Sequence, residues 1–109
     1  MIVKVKMSVG FRVDGADFKT CDLRHATVRD SYEVAQDPET AENDIYKMAA
    51  MYARRISLPD GQRVSTSQIL DLADFDLGKI VEADKELNAA LAAGFSGDKD
   101  PAPENPEAA

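Results

Sequence analysis

The chain reads as a small α+β domain: an N-terminal antiparallel β-hairpin followed by a bundle of three to four helices. Three observations predict it. Ile2 to Val9, IVKVKMSV, alternates apolar Val3, Val5, Met7 and Val9 with Lys4, Lys6 and Ser8, the period of a half-buried strand. Asp14-Gly15 follows, a dipeptide that accepts the positive φ angles of a tight hairpin. Glu42 to Ile56, ENDIYKMAAMYARRI, then places Ile45, Met48, Ala49, Tyr52 and Ile56 on one face of a 3.6-residue period. A single domain is expected over 1–95.

The elements follow in order. The hairpin occupies about 2–24, its return strand clearest near Asp17 to Leu23. Two strands alone are marginal in water, so helices must cover them. Thr27 is a suitable N-cap, and Asp30 three residues on completes a capping box for a helix over about 28–36. Tyr32, Val34 and Ala35 supply its apolar side. Asp37-Pro38 starts the main helix, about 39–57, with Asp37 as N-cap and proline in the first turn. Acidic residues open that helix and Arg54-Arg55 close it, as the helix dipole favours.

Leu58-Pro59-Asp60-Gly61 reads as a turn. Ser65 and Gln68 form a second capping box, opening a short helix over about 66–73 with Ile69, Leu70 and Leu72. Asp74 or Asp76 caps the last helix, about 75–93, with Gly94 as its expected C-cap. Residues 96–109, SGDKDPAPENPEAA, lack apolar periodicity and read as a disordered acidic tail.

Composition narrows the function. Of 109 residues, 30% are charged, and the net charge is −7, which disfavours direct nucleic-acid binding because phosphate neutralisation needs a basic stripe. No apolar run approaches a membrane span, and MIVKVKMSV lacks the apolar block of a signal peptide, so a cytoplasmic protein is expected. Cys21 is the only cysteine, which precludes an intrachain disulfide and suits a reducing compartment.

Candidate chemistry is sparse. His25, the only histidine, has no nucleophile or orienting partner in the pattern and reads as a surface or structural residue. Cys21 reads as a small core residue rather than a reactive thiol. Asp71, Asp74 and Asp76 lack the glycine and distal glutamate of a calcium loop, and helix capping accounts for them. No phosphate-binding glycine loop is present, and one cysteine and one histidine cannot build a zinc site. No catalytic, cofactor or metal residue is therefore expected. The last helix carries the best binding feature: its apolar face runs from Leu77 and Ile80 through Leu87 to Leu91, with Phe95 after Gly94. Those five residues are the expected partner-binding or self-association surface, although the same pattern could close a helical core.

The segment order resembles the tail assembly chaperones of long-tailed bacteriophages and prophages, especially the Mu-like branch. The resemblance rests on Leu23, Arg24, Thr27 and Asp30 within DLRHATVRD, which match an L-R-x-P-T-x-x-D-like segment after the hairpin. It rests also on Ser67 to Val81, SQILDLADFDLGKIV, where Leu72, Asp74 and Asp76 sit at a short segment leading into the final helix. Ala26 departs from the pattern, which commonly has proline there. The resemblance covers roughly Val3 to Leu87. It implies a non-enzymatic protein of the host cytoplasm that binds the helical tape measure protein, helps recruit tail tube subunits, and is absent from the finished virion. Rival readings are a small structural tail or tail-completion protein and a small regulatory protein-binding module.

Overall fold

The computed structural model describes residues 1–97, with side chains described through residue 94. It is an α+β fold. Strands β1 (Ile2–Val13) and β2 (Ala16–Arg24) form the hairpin, and a short strand β3 (Ile56–Ser57) pairs antiparallel with β2, giving the order β1-β2-β3. Helices α1 (Val28–Ala35), α2 (Glu39–Glu42), α3 (Asp44–Arg55), α4 (Thr66–Leu70) and α5 (Asp74–Gly97) complete it.

The hairpin turns at Asp14 and Gly15, whose φ angles of 52° and 81° are the two positive values of a type I′ turn. Val5, Met7, Phe11, Val13, Cys21 and Leu23 point inward from the sheet. They meet Ala49, Tyr52 and Ala53 of α3, Ile69 of α4, and Ile80, Ala83 and Leu87 of α5 in one core. Both predicted capping boxes are present, Thr27 with Asp30 and Ser65 with Gln68.

Several expectations need correction. The main helix is not continuous over 39–57. It breaks at Asn43, whose extended backbone (φ −146°, ψ 107°) ends α2 and whose side-chain oxygen accepts from the N–H groups of Ile45 and Tyr46 to start α3. Its far end leaves the helix at Ile56 and becomes β3, because Ile56 pairs with Leu23. Ile45, in the first turn of α3, is exposed rather than part of the buried face. On α1, Tyr32 does not share the buried side of Val34. Residues two apart on a helix face different directions, and Val34 takes the core.

Val9 is the most informative departure. Alternation places it inward with Val5 and Met7, yet it is 63% exposed. The β1–β2 register shifts between Lys6 and Phe11, so a bulge turns Val9 outward before Phe11 and Val13 resume the core face. Gly10 makes the bulge feasible: its φ is 81°, and a Cβ there would stand 2.0 Å from the Phe18 carbonyl oxygen.

Helix α5 runs antiparallel to β1. Its first turn sits beside Ser8–Gly10, and its middle lies alongside Lys4–Lys6. At 24 residues it is about 36 Å long. Leu87 is its last buried residue, and Asn88 to Gly94 are exposed. Gly94 does not end the helix, which continues through Ser96 to Gly97. The expected tail therefore begins inside α5, and its residues 98–109 lie outside the described residues.

Candidate partner-binding surface

Three carboxylates, Asp30 and Asp76 fully buried and Asp84 partly so, tie the elements together. The first is Asp30. Its oxygens accept from Arg24 Nη1 and Nη2 at 2.8 and 2.7 Å, from Arg54 Nε at 3.2 Å, and from the Thr27 N–H at 2.8 Å. The Arg24 guanidinium holds the Asp30 carboxyl well below the usual carboxylate range, against the opposing effect of burial. Arg24 also donates to the Arg54 carbonyl, so the end of β2, the start of α1 and the end of α3 meet at one charge. Leu23 beside it is fully buried. The four residues matched in DLRHATVRD are thus one structural junction.

The second carboxylate is Asp84 of α5, which accepts from Arg55 Nη2 at 2.6 Å and Tyr52 Oη at 3.1 Å. Arg55 is itself buried and donates through Nε to the Arg24 carbonyl, linking the two junctions. The Arg55 hydrogen bond lowers the Asp84 pKa. Burial, with the Asp84 charge, pushes the Tyr52 phenol up to about 12. The third carboxylate is Asp76. It is fully buried and accepts three consecutive N–H groups of the β1 bulge, from Ser8, Val9 and Gly10, at 2.7, 2.9 and 2.9 Å. Burial raises its pKa, but those three donors outweigh burial and leave it lowered. Asp76 is therefore a latch between α5 and β1, not a cap of its own helix and not a free ligand beside Asp71 and Asp74.

The predicted binding residues fare unequally. Ile80 and Leu87 are 0% and 1% exposed, facing the sheet, so they are core and cannot serve a partner. Leu77 is half-buried against the same core. Leu91 is 40% exposed, on the part of α5 that extends past the sheet. Phe95 lies in α5, with its side chain outside the described atoms. Helical periodicity could not separate these cases, because the same stripe passes from covered to uncovered where the sheet ends.

Sequence reasoning missed the more exposed apolar positions. On α1, Val28 and Tyr32 stand 87% and 59% exposed at i and i+4, so they share a face. Arg29 lies 5.9 Å from the Tyr32 ring centroid, and the three residues line an open depression of about 550 Å³. At the opposite junction, Val9 and Phe75 are 63% and 62% exposed on either side of the Asp76 latch. Lys79 sits 5.2 Å over the Phe75 ring. The local signal for Val28 and Tyr32 was available: Asp30 and Val34 claim the inner side of α1, leaving 28 and 32 outside.

His25 Nδ1 accepts from the Met1 ammonium at 3.0 Å, an exposed contact beside the end of the hairpin. Cys21 is buried, and burial pushes its thiol up to about 12, which disfavours the reactive thiolate. No helix among the described residues is long and apolar enough to cross a membrane. No family model, curated protein or solved structure matches this chain.

Proposed function

We propose that this protein is a non-enzymatic, client-binding chaperone of phage tail assembly, whose client is the helical tape measure protein. The structural observation that supports the reading is the exposed Val28–Tyr32 face of α1, held outward by the buried Asp30 junction at the helix start. A rigid helix offering an aliphatic and an aromatic side chain one turn apart suits the apolar stripe of a client helix. The resemblance of Leu23, Arg24, Thr27 and Asp30, and of Leu72, Asp74 and Asp76, to the Mu-like tail assembly chaperones supplies the client's identity. Leu91 extends the offered apolar surface along α5. The net charge of −7 keeps such a surface soluble before the client arrives. On this reading the protein acts in the host cytoplasm, recruits tail tube subunits to the client, and is left out of the particle.

Co-expression with the tape measure protein of the same phage or prophage tests it. A soluble complex on size-exclusion chromatography, with a tape measure that is insoluble alone, is the expected result. Recovery of this chain as a component of purified particles would instead make it a structural tail protein.

A further inference from the structure

The outer edge of β1 is unpaired among the described residues, since the sheet order is β1-β2-β3. Its polarity can be worked out. The His25 N–H donates to the Met1 carbonyl at 3.1 Å, in the register that sets Ile2 opposite Arg24 and Val3 opposite Leu23. Antiparallel pairing alternates along the strand, so Met1, Val3 and Val5 aim their N–H and C=O groups at β2. Ile2, Lys4 and Lys6 aim theirs away from it. Ser8 continues that outward row, and its N–H goes to Asp76. The latch thus closes one end of the edge and leaves Ile2 to Lys6 open.

On this acidic protein the two charged side chains that the open edge itself carries are lysines, Lys4 and Lys6, while the α5 wall beside it carries Glu82 and Glu86 as well as Lys79. Strand β1 carries no acidic residue, and its third cation, Arg12, lies beyond the bulge and is paired with Asp17 at 2.8 Å. Lys4, Val5 and Lys6 form one wall of a cleft of about 300 Å³, with Lys79, Glu82, Ala83 and Glu86 of α5 opposite. Lys4 is only loosely engaged, 3.7 Å from Asp22 with both side chains largely exposed. Lys6 has no ion-pair partner among the described residues.

We infer that this edge accepts an extended acidic segment of a partner protein, added as an antiparallel strand with Asp or Glu at alternate positions. Main-chain bonds to Ile2, Lys4 and Lys6 supply the ladder, and the partner's acids stand across from the two lysines. The intervening partner side chains face the cleft beside Val5 and Ala83. A second copy of this chain does not fit. With matching faces, either register that overlaps the two strands sets Lys4 opposite a lysine of the other copy, and like charges directly opposite destabilise a pair. This edge is distinct from the α1 face, so the inference stands apart from the client reading.

The test uses the full-length chain, labelled with nitrogen-15, and two synthetic peptides, Thr-Glu-Val-Glu-Val-Glu-Thr and the same peptide with Lys for Glu. The acidic peptide should bind, shift the amides of Ile2, Lys4 and Lys6, and slow their hydrogen exchange. The double variant K4E/K6E should weaken it about tenfold or more and transfer preference to the basic peptide. If that variant fails to fold, Lys6→Ser alone should still weaken acidic binding. Three results would overturn the inference. One is acidic-peptide binding that the lysine variants leave unchanged. Another is no binding at millimolar peptide. The third is strong protection of the Ile2, Lys4 and Lys6 amides in the free chain, which would mean that another copy or the chain's own acidic 98–109 segment already fills the edge.

Discussion

Replacing Asp76 by alanine removes the acceptor for three backbone donors at once. Hydrogen bonds to a charged group contribute about 1.5–3 kcal/mol each. The three here share one carboxylate, and Ser8 and Val9 are exposed enough for their N–H groups to find water after the change. Gly10 is less open, and its flanking Met7 and Phe11 stay in the core with α5. The net loss should therefore fall well below the sum, at about 2–4 kcal/mol. For a domain of this size that is a fall in Tm of about 10–25 °C. Thermal and urea unfolding by circular dichroism measure it, and hydrogen exchange at Ser8, Val9 and Gly10 locates it. Asp76→Asn keeps the volume and one acceptor oxygen but loses the charge and turns its NH2 toward at least one of the donors, so it should recover only part of the alanine loss. A loss under about 0.5 kcal/mol, the range of an ordinary surface change, with the three amides still protected, would refute the latch.

Other expectations are as direct. Leu87→Ala should cost about 2–5 kcal/mol as a core truncation, while Leu91→Ala should cost under about 1 kcal/mol, a contrast that urea unfolding resolves. Asp30→Ala should cost about 2–3 kcal/mol in the same assay, less than a fully buried pair because Arg24 and Arg54 are each about a third exposed. Stability should be flat above about pH 5 and fall below about pH 4, as measured by urea midpoints from pH 7 to 2. The sign follows from Asp30, Asp76 and Asp84, whose folded pKa values lie below the unfolded value of about 3.9, so their contribution is lost as protons return. A midpoint that holds steady down to pH 2 would contradict this.

What the sequence made legible was local. The alternation of Ile2 to Met7, the Asp14-Gly15 turn and the two capping boxes each depend on residues within a few positions of one another, and all are present. Asn43 was legible in principle, since an asparagine ahead of an acidic first turn is an N-cap signal. The Asp37-Pro38 start signal upstream of it concealed the break. What was not legible joins distant positions. Asp76 meets Gly10 across 66 residues, and Arg55 meets Asp84 across 29. Val9 is turned out at a bulge that Gly10 permits and that distant carboxylate holds, and no strand period encodes it. The binding surface suffered most, because exposure along α5 depends on where β1 stops beneath it. Thus Ile80 and Leu87 went to the core, while Val28 and Tyr32, on a short helix of modest apolarity, stayed outside.

The measurement that bears most directly on the functional proposal is capture of the tape measure protein by wild type and by the pair Val28→Ser with Tyr32→Ser. Both side chains are largely exposed, so unfolding by urea should change by less than about 1 kcal/mol. The account predicts that the double variant keeps its fold and loses at least about tenfold in client affinity, the loss of roughly 1.4 kcal/mol at a contact. Undiminished capture by a folded double variant would contradict it and remove α1 from the client interface.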